Sequence, residues 1–547
     1  MLNDDVDPSV PLSVVAAQKN EKINEGTRIK SRFGDKAFVT DIERRYEIFE
    51  TECDNFRRST LMQFNSITFA VFLTGVMLLF WYILNHPSRI TLRNLFLLAV
   101  SYLFYGWWDW RFLTLIAASS AIDFVAGNRI GSSTDRRKRL AWLWVSIVAN
   151  LGMLAAFKYF NFFLESADVL LGALGSSVMD LRLDWILPVG ISFYTFQTLS
   201  YSLDIHSGRM KPVKDPVAFF AFVAFFPQLV AGPIERARDL LPQFSKYHAF
   251  DSKAVKSGLM LVVWGIFKKV VIADRLALYV NDAYANPDIL VGPSAIAAVV
   301  FFTFQLYIDF SAYSEIAIGS ARMMGFRLST NFRRPLLAES FKDLWARWHI
   351  SLTTWFRDYV FRPLRNLPGG RNRRALNVLI VFFLTGLWHG ADWTFIIWGL
   401  LNGLYLLFFD TLVIGPMRKI PEPLSRILRT SFTTVFMYTA LILFRAPDMA
   451  IAQDVFLALF DWDLTQLDAN PVRLGMVERE WRMSWILLVG LFSLEILVEA
   501  KPKLEAFFSG GIGLKRWMVT WLLAMAIILL GSYGLNVLDQ EFIYFQF

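Results

Sequence analysis

Cysteine is nearly missing from this chain: Cys53 is the only one in 547 residues. A single thiol excludes an intramolecular disulfide, a cysteine-rich zinc site and a CxxC redox pair, and the polar stretch around it excludes a membrane-embedded cysteine nucleophile. Charge is also scarce, at 19% of residues, against about 25% in an ordinary soluble domain. The chain has no G-x-S-x-G elbow, Walker A loop, H-E-x-x-H pair or G-x-G-x-x-G turn. Acyl-serine, ATP-driven, zinc-protease and nicotinamide chemistry therefore lose support. No internal repeat is evident, so repeat-built transporter designs gain none either. Met1 to Thr60 holds no apolar core of secretory length, so the first apolar run is expected to act as the insertion signal.

What the chain has is apolar surface. Hydrophobic residues make up 55%, aromatics 16%, with 51 Phe and 19 Trp, and mean hydropathy is +0.41. One soluble core cannot hide that much, so lipid must solvate much of it, and the fold class expected is an all-α polytopic membrane protein. The net charge of +8 sits in short basic loops between apolar runs, which favours topology setting and anionic lipid over nucleic acid. Arg136-Arg137-Lys138-Arg139 and the arginines at 362, 365, 371, 373 and 374 are both expected on the cytoplasmic side.

Two regions differ in character. Residues 1–61 carry 10 Lys+Arg and 12 Asp+Glu and read either as a polar cytosolic tail or as sequence ahead of a true start at Met62. Residues 62–547 read as the membrane domain. Its apolar runs predict helices at Ile67–Leu84, Leu95–Trp110, Phe112–Val125, Leu140–Phe157, Trp185–Asp204, Gly258–Ala273 and Ala295–Phe310. Five more are predicted at Ala375–His389, Trp393–Phe409, Ser431–Phe444, Trp485–Val498 and Trp517–Leu530. Val217–Val230 is short and is followed by Gly232-Pro233, with Pro227 inside it. That pattern predicts a re-entrant or broken helix, tolerated at membrane depth only inside protein or beside a cavity.

With five histidines, each can be weighed singly. His86 and His248 lie in polar connections and read as surface residues, and His206 as interfacial. His389 ends an apolar run within Thr385-Gly386-Leu387-Trp388-His389-Gly390-Ala391-Asp392. An ionisable ring at membrane depth costs several kcal/mol without partners, which makes it either a functional group or a structural hydrogen-bond donor between helices. Gly386 and Gly390 suggest a tight crossing, and Asp392, if the helix continues, stands at i+3 where it can orient the imidazole. His349 lies in Trp345-Ala346-Arg347-Trp348-His349-Ile350-Ser351, an amphipathic stretch suited to a vestibule or an interface. Asp309, Ser311, Tyr313 and Glu315 form a third polar cluster that needs a wet or hydrogen-bonded interior. An embedded histidine acting as proton acceptor is the chemistry that survives.

The motifs Tyr105-Gly106-Trp107-Trp108-Asp109-Trp110, Pro188-Val189-Gly190-Ile191-Ser192-Phe193-Tyr194-Thr195-Phe196-Gln197 and Phe226-Pro227-Gln228-Leu229-Val230-Ala231-Gly232-Pro233-Ile234 carry a resemblance. So do Gln63-Phe64-Asn65-Ser66, Arg93-Asn94-Leu95-Phe96, the Asp309–Glu315 cluster, Arg347-Trp348-His349-Ile350-Ser351-Leu352, Gly386-Leu387-Trp388-His389-Gly390 and the terminal Phe542-Ile543-Tyr544-Phe545-Gln546-Phe547. Together they resemble the membrane-bound O-acyltransferase family, in its bacterial alginate O-acetyltransferase-like branch, over Met62 to Phe547.

The resemblance implies a multi-helix fold with broken helices around a central tunnel, with His389 and His349 as the catalytic pair. Asp309, Ser311, Tyr313, Glu315, Trp348, Trp388 and Asp392 are its expected supporting or tunnel-lining residues. It also implies an acyl group, acetyl in the alginate-type systems, passed from a cytoplasmic thioester such as acetyl-CoA toward hydroxyls of an exported polysaccharide. The expected setting is the bacterial inner membrane, with a periplasmic or membrane-anchored SGNH-like acetyltransferase as partner. No metal and no resident cofactor are expected. D-alanyl or peptidoglycan acyl transfer on the same scaffold, and a transporter using the same cavity without bond making, are the alternatives. Two departures stand out: Ala312 and Glu315 replace Gly and Asp of the family pattern, and Arg362–Arg373 carries a short insertion with added arginines.

Overall fold

The computed structural model describes residues 62–547 except 173–181, 184, 231, 463–471, 502, 505–512, 533–541 and 544–547. The expectations for the 1–61 extension, Cys53 included, fall outside these residues, as does terminal Tyr544.

The first helices are α1 (Ile67–Leu84), α2 (Pro87–Asp109), α3 (Phe112–Ser132) and α4 (Arg136–Gly172). In α4 the backbone widens to π geometry over Ala155–Tyr159. Such insertions recur at functional sites. Helix α5 runs Ile191–His206. The sequence predicts a start at Trp185, but Pro188-Val189-Gly190 forms a turn in which Gly190 takes φ +77°, a region open to glycine at little cost. A Cβ there would also stand 3.0 Å from the Leu229 carbonyl oxygen.

The predicted break in the Val217–Val230 run is present. Helix α6 (Pro216–Ala224) stops at Phe225, and a single turn, α7 (Phe226–Leu229), restarts with Pro227 in its first turn. Side chains satisfy the freed backbone: Phe226 N–H donates to Ser101 Oγ at 3.1 Å, and the Phe222 carbonyl accepts from Gln197 and Gln228 at 3.0 and 3.1 Å. Irregular backbone survives in an apolar interior on this condition.

Then come α8 (Ala237–Phe244), α9 (Ser252–Phe267, with a π continuation over Lys268–Ala273), α10 (Asp274–Ala285) and α11 (Gly292–Met323). At 32 residues, α11 is about 48 Å long and is the central, largely buried helix. It packs on α9 through small residues: a Cβ on Gly258 would meet the Gly319 carbonyl at 2.6 Å, and one on Gly265 the Ala312 carbonyl at 2.7 Å. The close approach supplies dispersion contact where lipid gives no hydrophobic drive.

Two short helices, α12 (Phe341–Arg347) and α13 (Ile350–Phe356), meet at a sharp corner at Trp348-His349. A π turn over Arg357–Phe361 and α14 (Arg362–Asn366) follow. The chain continues through α15 (Arg374–His389), α16 (Trp393–Met417), α17 (Leu424–Arg445), α18 (Met449–Ala458), α19 (Glu478–Ala500) and α20 (Leu514–Leu530). Helix α10, helix α18 and the second half of α4 have no counterpart in the predicted runs.

Among the described residues there is no strand, and seven helices are long and apolar enough to cross a membrane. The buried side chains form two clusters. Trp388 and Trp355 belong to the first, Trp348 and Trp398 to the second. Both histidines of interest lie where these clusters meet.

Candidate active site

His389 is the last residue of α15, and Gly390 leaves the helix in an extended conformation. The helix end is pinned by Lys158, from the π segment of α4, whose Nζ donates to the Trp388 and His389 carbonyls, both at 2.8 Å. Tyr159 beside it donates to the Leu387 carbonyl at 2.9 Å. These are orphan carbonyls of a helix C-terminus, where a cation is favoured. Against α16 the crossing is tight: a Cβ on Gly386 would stand 2.3 Å from the Phe395 carbonyl, and one on Gly399 2.3 Å from that of Phe382. The expected close approach at Gly386 is therefore present, with Gly399 as its partner.

The imidazole of His389 is 5% exposed and caged by Trp388, Trp398 and Phe444 at centroid distances of 4.9, 5.0 and 5.1 Å. It lines two cavities. One is apolar, walled by Leu306, Trp345, Trp348, Trp398, Leu441 and Phe444. The other is bounded by Lys158, the Pro188–Phe193 turn, Val230 and Trp388. The broken α6–α7 segment and the Gly190 turn therefore end beside the ring.

His349 forms the corner between α12 and α13, with φ +40° and ψ +54°. A non-glycine residue held there costs about 1–2 kcal/mol, and its ring is 1% exposed. Its Nδ1 lies 3.1 Å from Asn331 Oδ1. The Ser351 backbone N–H, which can only donate, points at that same Asn331 atom at 3.3 Å, and Ser351 Oγ donates to it at 2.8 Å. Asn331 Nδ2 in turn donates to Ser314 Oγ at 3.1 Å. The atom facing Ser351 is thus the carboxamide oxygen, so His349 Nδ1 carries the proton and Nε2 is the basic nitrogen. Trp388 joins the two histidines, with centroids 5.8 Å from His349 and 4.9 Å from His389.

The remaining predicted residues divide into groups. Trp348 shares the apolar cavity with His389, and Trp388 the other. Asp309, Ser311 and Glu315 serve two buried lysines of the α9 continuation. Lys269 pairs with Asp309 at 3.0 Å, while Lys268 pairs with Glu315 at 2.8 Å and donates to Ser311 at 2.7 Å. Asp309 also accepts the Ile543 N–H at 2.8 Å. Tyr313 packs between Phe64 and Phe542, 4.4 Å from each, and with Asp309 lines a third cavity that neither histidine reaches. Phe310, on the same helix, lies edge-on to His349 at 4.7 Å.

Asp392 corrects the sequence reading. The helix does not continue through it. After Gly390 the chain turns, and Asp392 caps α16 by accepting the Thr394 N–H at 2.8 Å, so its partner is a backbone amide and not the i−3 imidazole.

Asn331 and Lys158 lie outside every motif quoted above, and Ser351 stands within one. The lysine had a signal, a cation inside Ala155-Ala156-Phe157-Lys158-Tyr159-Phe160. Asn331 lies in a polar connection with none. No group of three or more His, Cys, Asp or Glu able to hold a metal ion occurs among the described residues.

Residues 112–445 match the model of MBOAT, the membrane-bound O-acyltransferase family. The chain is 38% identical over 412 residues to a probable alginate O-acetylase AlgI of Azotobacter vinelandii, covering 74% of this chain and 80% of that one. It is 32% identical over 429 residues to a peptidoglycan O-acetyltransferase of Helicobacter pylori, covering 73% and 80%. It is also 27% identical over 274 residues to a teichoic acid D-alanyltransferase of Bacillus subtilis, covering 45% and 69%. The matched family residues hold every element that carries the two histidines, from the π segment of α4 to α17, and the chain is a multi-pass membrane acyltransferase belonging to the membrane-bound O-acyltransferase family.

Proposed function

We propose that the chain transfers an acetyl group from a cytoplasmic thioester, acetyl-CoA, toward hydroxyls of an exported polysaccharide, working in the bacterial inner membrane with an SGNH-like acetyltransferase partner outside. The observation that carries this reading is that His389 borders two separate cavities, one apolar and one bearing Lys158. Family membership favours bond making over the transporter alternative. The relatives' printed activities favour a glycan acceptor, of the alginate type by the higher identities and of the peptidoglycan type by the Helicobacter relative.

In this mechanism an acceptor hydroxyl gives its proton to the His389 imidazole as its oxygen attacks the thioester carbonyl. The tetrahedral oxyanion collapses, the C–S bond breaks, and the leaving thiolate takes the proton back from the imidazolium. General-base assistance of this kind is worth about 10²–10⁴-fold, and holding both reactants at one ring adds an orientation term. In its ammonium form Lys158 gives two protons to backbone carbonyls, which leaves one for developing negative charge in the cavity it lines. His349, its tautomer fixed by Asn331, assists from the other side of Trp388.

The test is His389→Ala and His389→Gln in cells lacking the native gene. Both variants are expected to accumulate in the membrane and to lose acetyl ester on the surface polymer by at least about a hundredfold. Normal acetylation in the Gln variant overturns the proton-acceptor role.

A further inference from the structure

Strained backbone is rare among the described residues, and most of it is in one place. Three non-glycine residues take positive φ there, and two of them, Arg334 at +47° and His349 at +40°, lie on facing segments of one corner. Strain of this kind persists where the surroundings over-determine it. Backbone laces the two segments together: Arg333 N–H donates to the Arg347 carbonyl and Ile350 N–H to the Asn331 carbonyl, both at 2.9 Å. Those two bonds bracket His349, but they join the segments only to each other.

An outside hold comes from α19. Glu499, in its last turn, gives one carboxylate oxygen to each side of the corner: Oε2 accepts from Arg334 Nε at 2.6 Å, and Oε1 from Arg347 Nη1 at 2.9 Å. These side chains are 17–19% exposed, so solvent ions screen little of two charge-assisted bonds. Arg347 is also held from its own helix, donating from Nε to Asp343 at 2.9 Å. One turn back along α19, Glu495 accepts from the Tyr307 hydroxyl at 2.5 Å, and the Tyr307 ring lies 6.1 Å from that of Trp348. Carboxylates at i and i+4 share a helix face, and this face is turned to the residues on either side of His349. Two acidic groups on a helix apolar enough to cross a membrane are costly unless they have a task. Neither lines a cavity that His389 borders, so the task is exerted through other residues.

We propose that Glu499 is a positioning residue for the reaction. By clamping Arg334 and Arg347 at once it fixes the Trp348-His349 corner, and with it the ring orientation in which Nδ1 meets Asn331 and Nε2 is left basic. Arg334 lies three residues after Asn331, and Arg347 two before His349. Release of either arginine therefore moves one partner of the Nδ1 hydrogen bond and not the other. The inference rests on His349 assisting the transfer, as proposed above, and adds the element that holds it in place.

The experiment uses the full chain in nanodiscs, with nitrogen-15 in its histidines, and reads two quantities: the imidazole nitrogen signals of His349, assigned by their loss in His349→Asn, and thiol release from acetyl-CoA. In the wild type, Nδ1 is expected to give the signal of a protonated nitrogen and Nε2 that of a bare one. In Glu499→Ala the two are expected to move toward each other as tautomers mix, with the His389 signals in place. Its kcat is expected to fall about ten- to a hundredfold, the cost of a misplaced group, with KM nearly unchanged. Glu499→Gln keeps the side chain's size but can accept from one guanidinium only, and is expected to show the same changes in smaller degree; it decides the question if the Ala variant does not accumulate. Glu478→Ala, at the exposed opposite end of α19, is expected to change neither quantity. Unmoved His349 signals in a folded Glu499 variant overturn the proposal, whatever happens to turnover. Moved signals with normal turnover keep the clamp and remove His349 from the transfer. If the wild type turns over no acetyl-CoA, the donor reading fails, and the nitrogen signals decide the clamp by themselves.

Discussion

The tautomer of one imidazole follows from a backbone amide that can only donate. Because Ser351 N–H fixes the orientation of the Asn331 carboxamide, and that carboxamide fixes His349, Asn331 is a positioning residue with a testable signature. Asn331→Asp puts a negative charge on the Nδ1 proton and makes the His349 ring more basic, so the titration profile of that imidazole, followed by NMR, is expected to move up by about one unit. Asn331→Leu leaves Nδ1–H unpaired and is expected to lower kcat/KM by about ten- to a hundredfold. An unmoved profile in the Asp variant counts against the role. Lys158→Met removes two charge-assisted bonds from the end of α15, each worth about 1.5–3 kcal/mol. It should lower both turnover and the thermal midpoint, measured on the purified protein in detergent.

At the level of elements, the site depends on how closely α15 and α16 cross. Gly386→Ala places a methyl 2.3 Å from the Phe395 carbonyl, and backbone cannot yield as a flexible side chain does. A loss of about 1–3 kcal/mol is expected. Gly152→Ala, where a Cβ meets nothing within 4 Å, is the control and should be neutral or slightly stabilising. The same elements show what a sequence can tell. Apolar runs located most of the helices, and the proline pattern located the α6–α7 break, because both follow from local chemistry. The apolar run ends at Phe157, one residue short of Lys158, whereas the helix carries the lysine inward on a π turn. The i+3 spacing of Asp392 from His389 has meaning only while a helix lasts, and Gly390 ends it. Asn331 reaches His349 across 18 residues through a corner with no periodicity to read, so no pattern could have found it.

For the molecule as a whole, stability should carry a mark of pH. Glu235, 3% exposed in the loop before α8, is raised to about 7 by desolvation, with hydrogen bonds from Ser329 opposing the shift. A carboxyl that is easier to protonate in the folded state stabilises it fully below the ordinary value of 4.5, and that contribution fades as pH rises through about 7. The thermal midpoint in detergent is therefore expected to fall between pH 5 and pH 8, and Glu235→Gln to flatten the fall. A second whole-molecule consequence comes from the cage of Trp388, Trp398 and Phe444 around His389. Any route that lets a reactant in from either compartment is also a potential leak for ions and protons, and would expose an activated ester to hydrolysis. Three rings set edge-on around the imidazole keep apolar surface where such a route would have to pass, the kind of wall that holds bulk water away from a reacting ester.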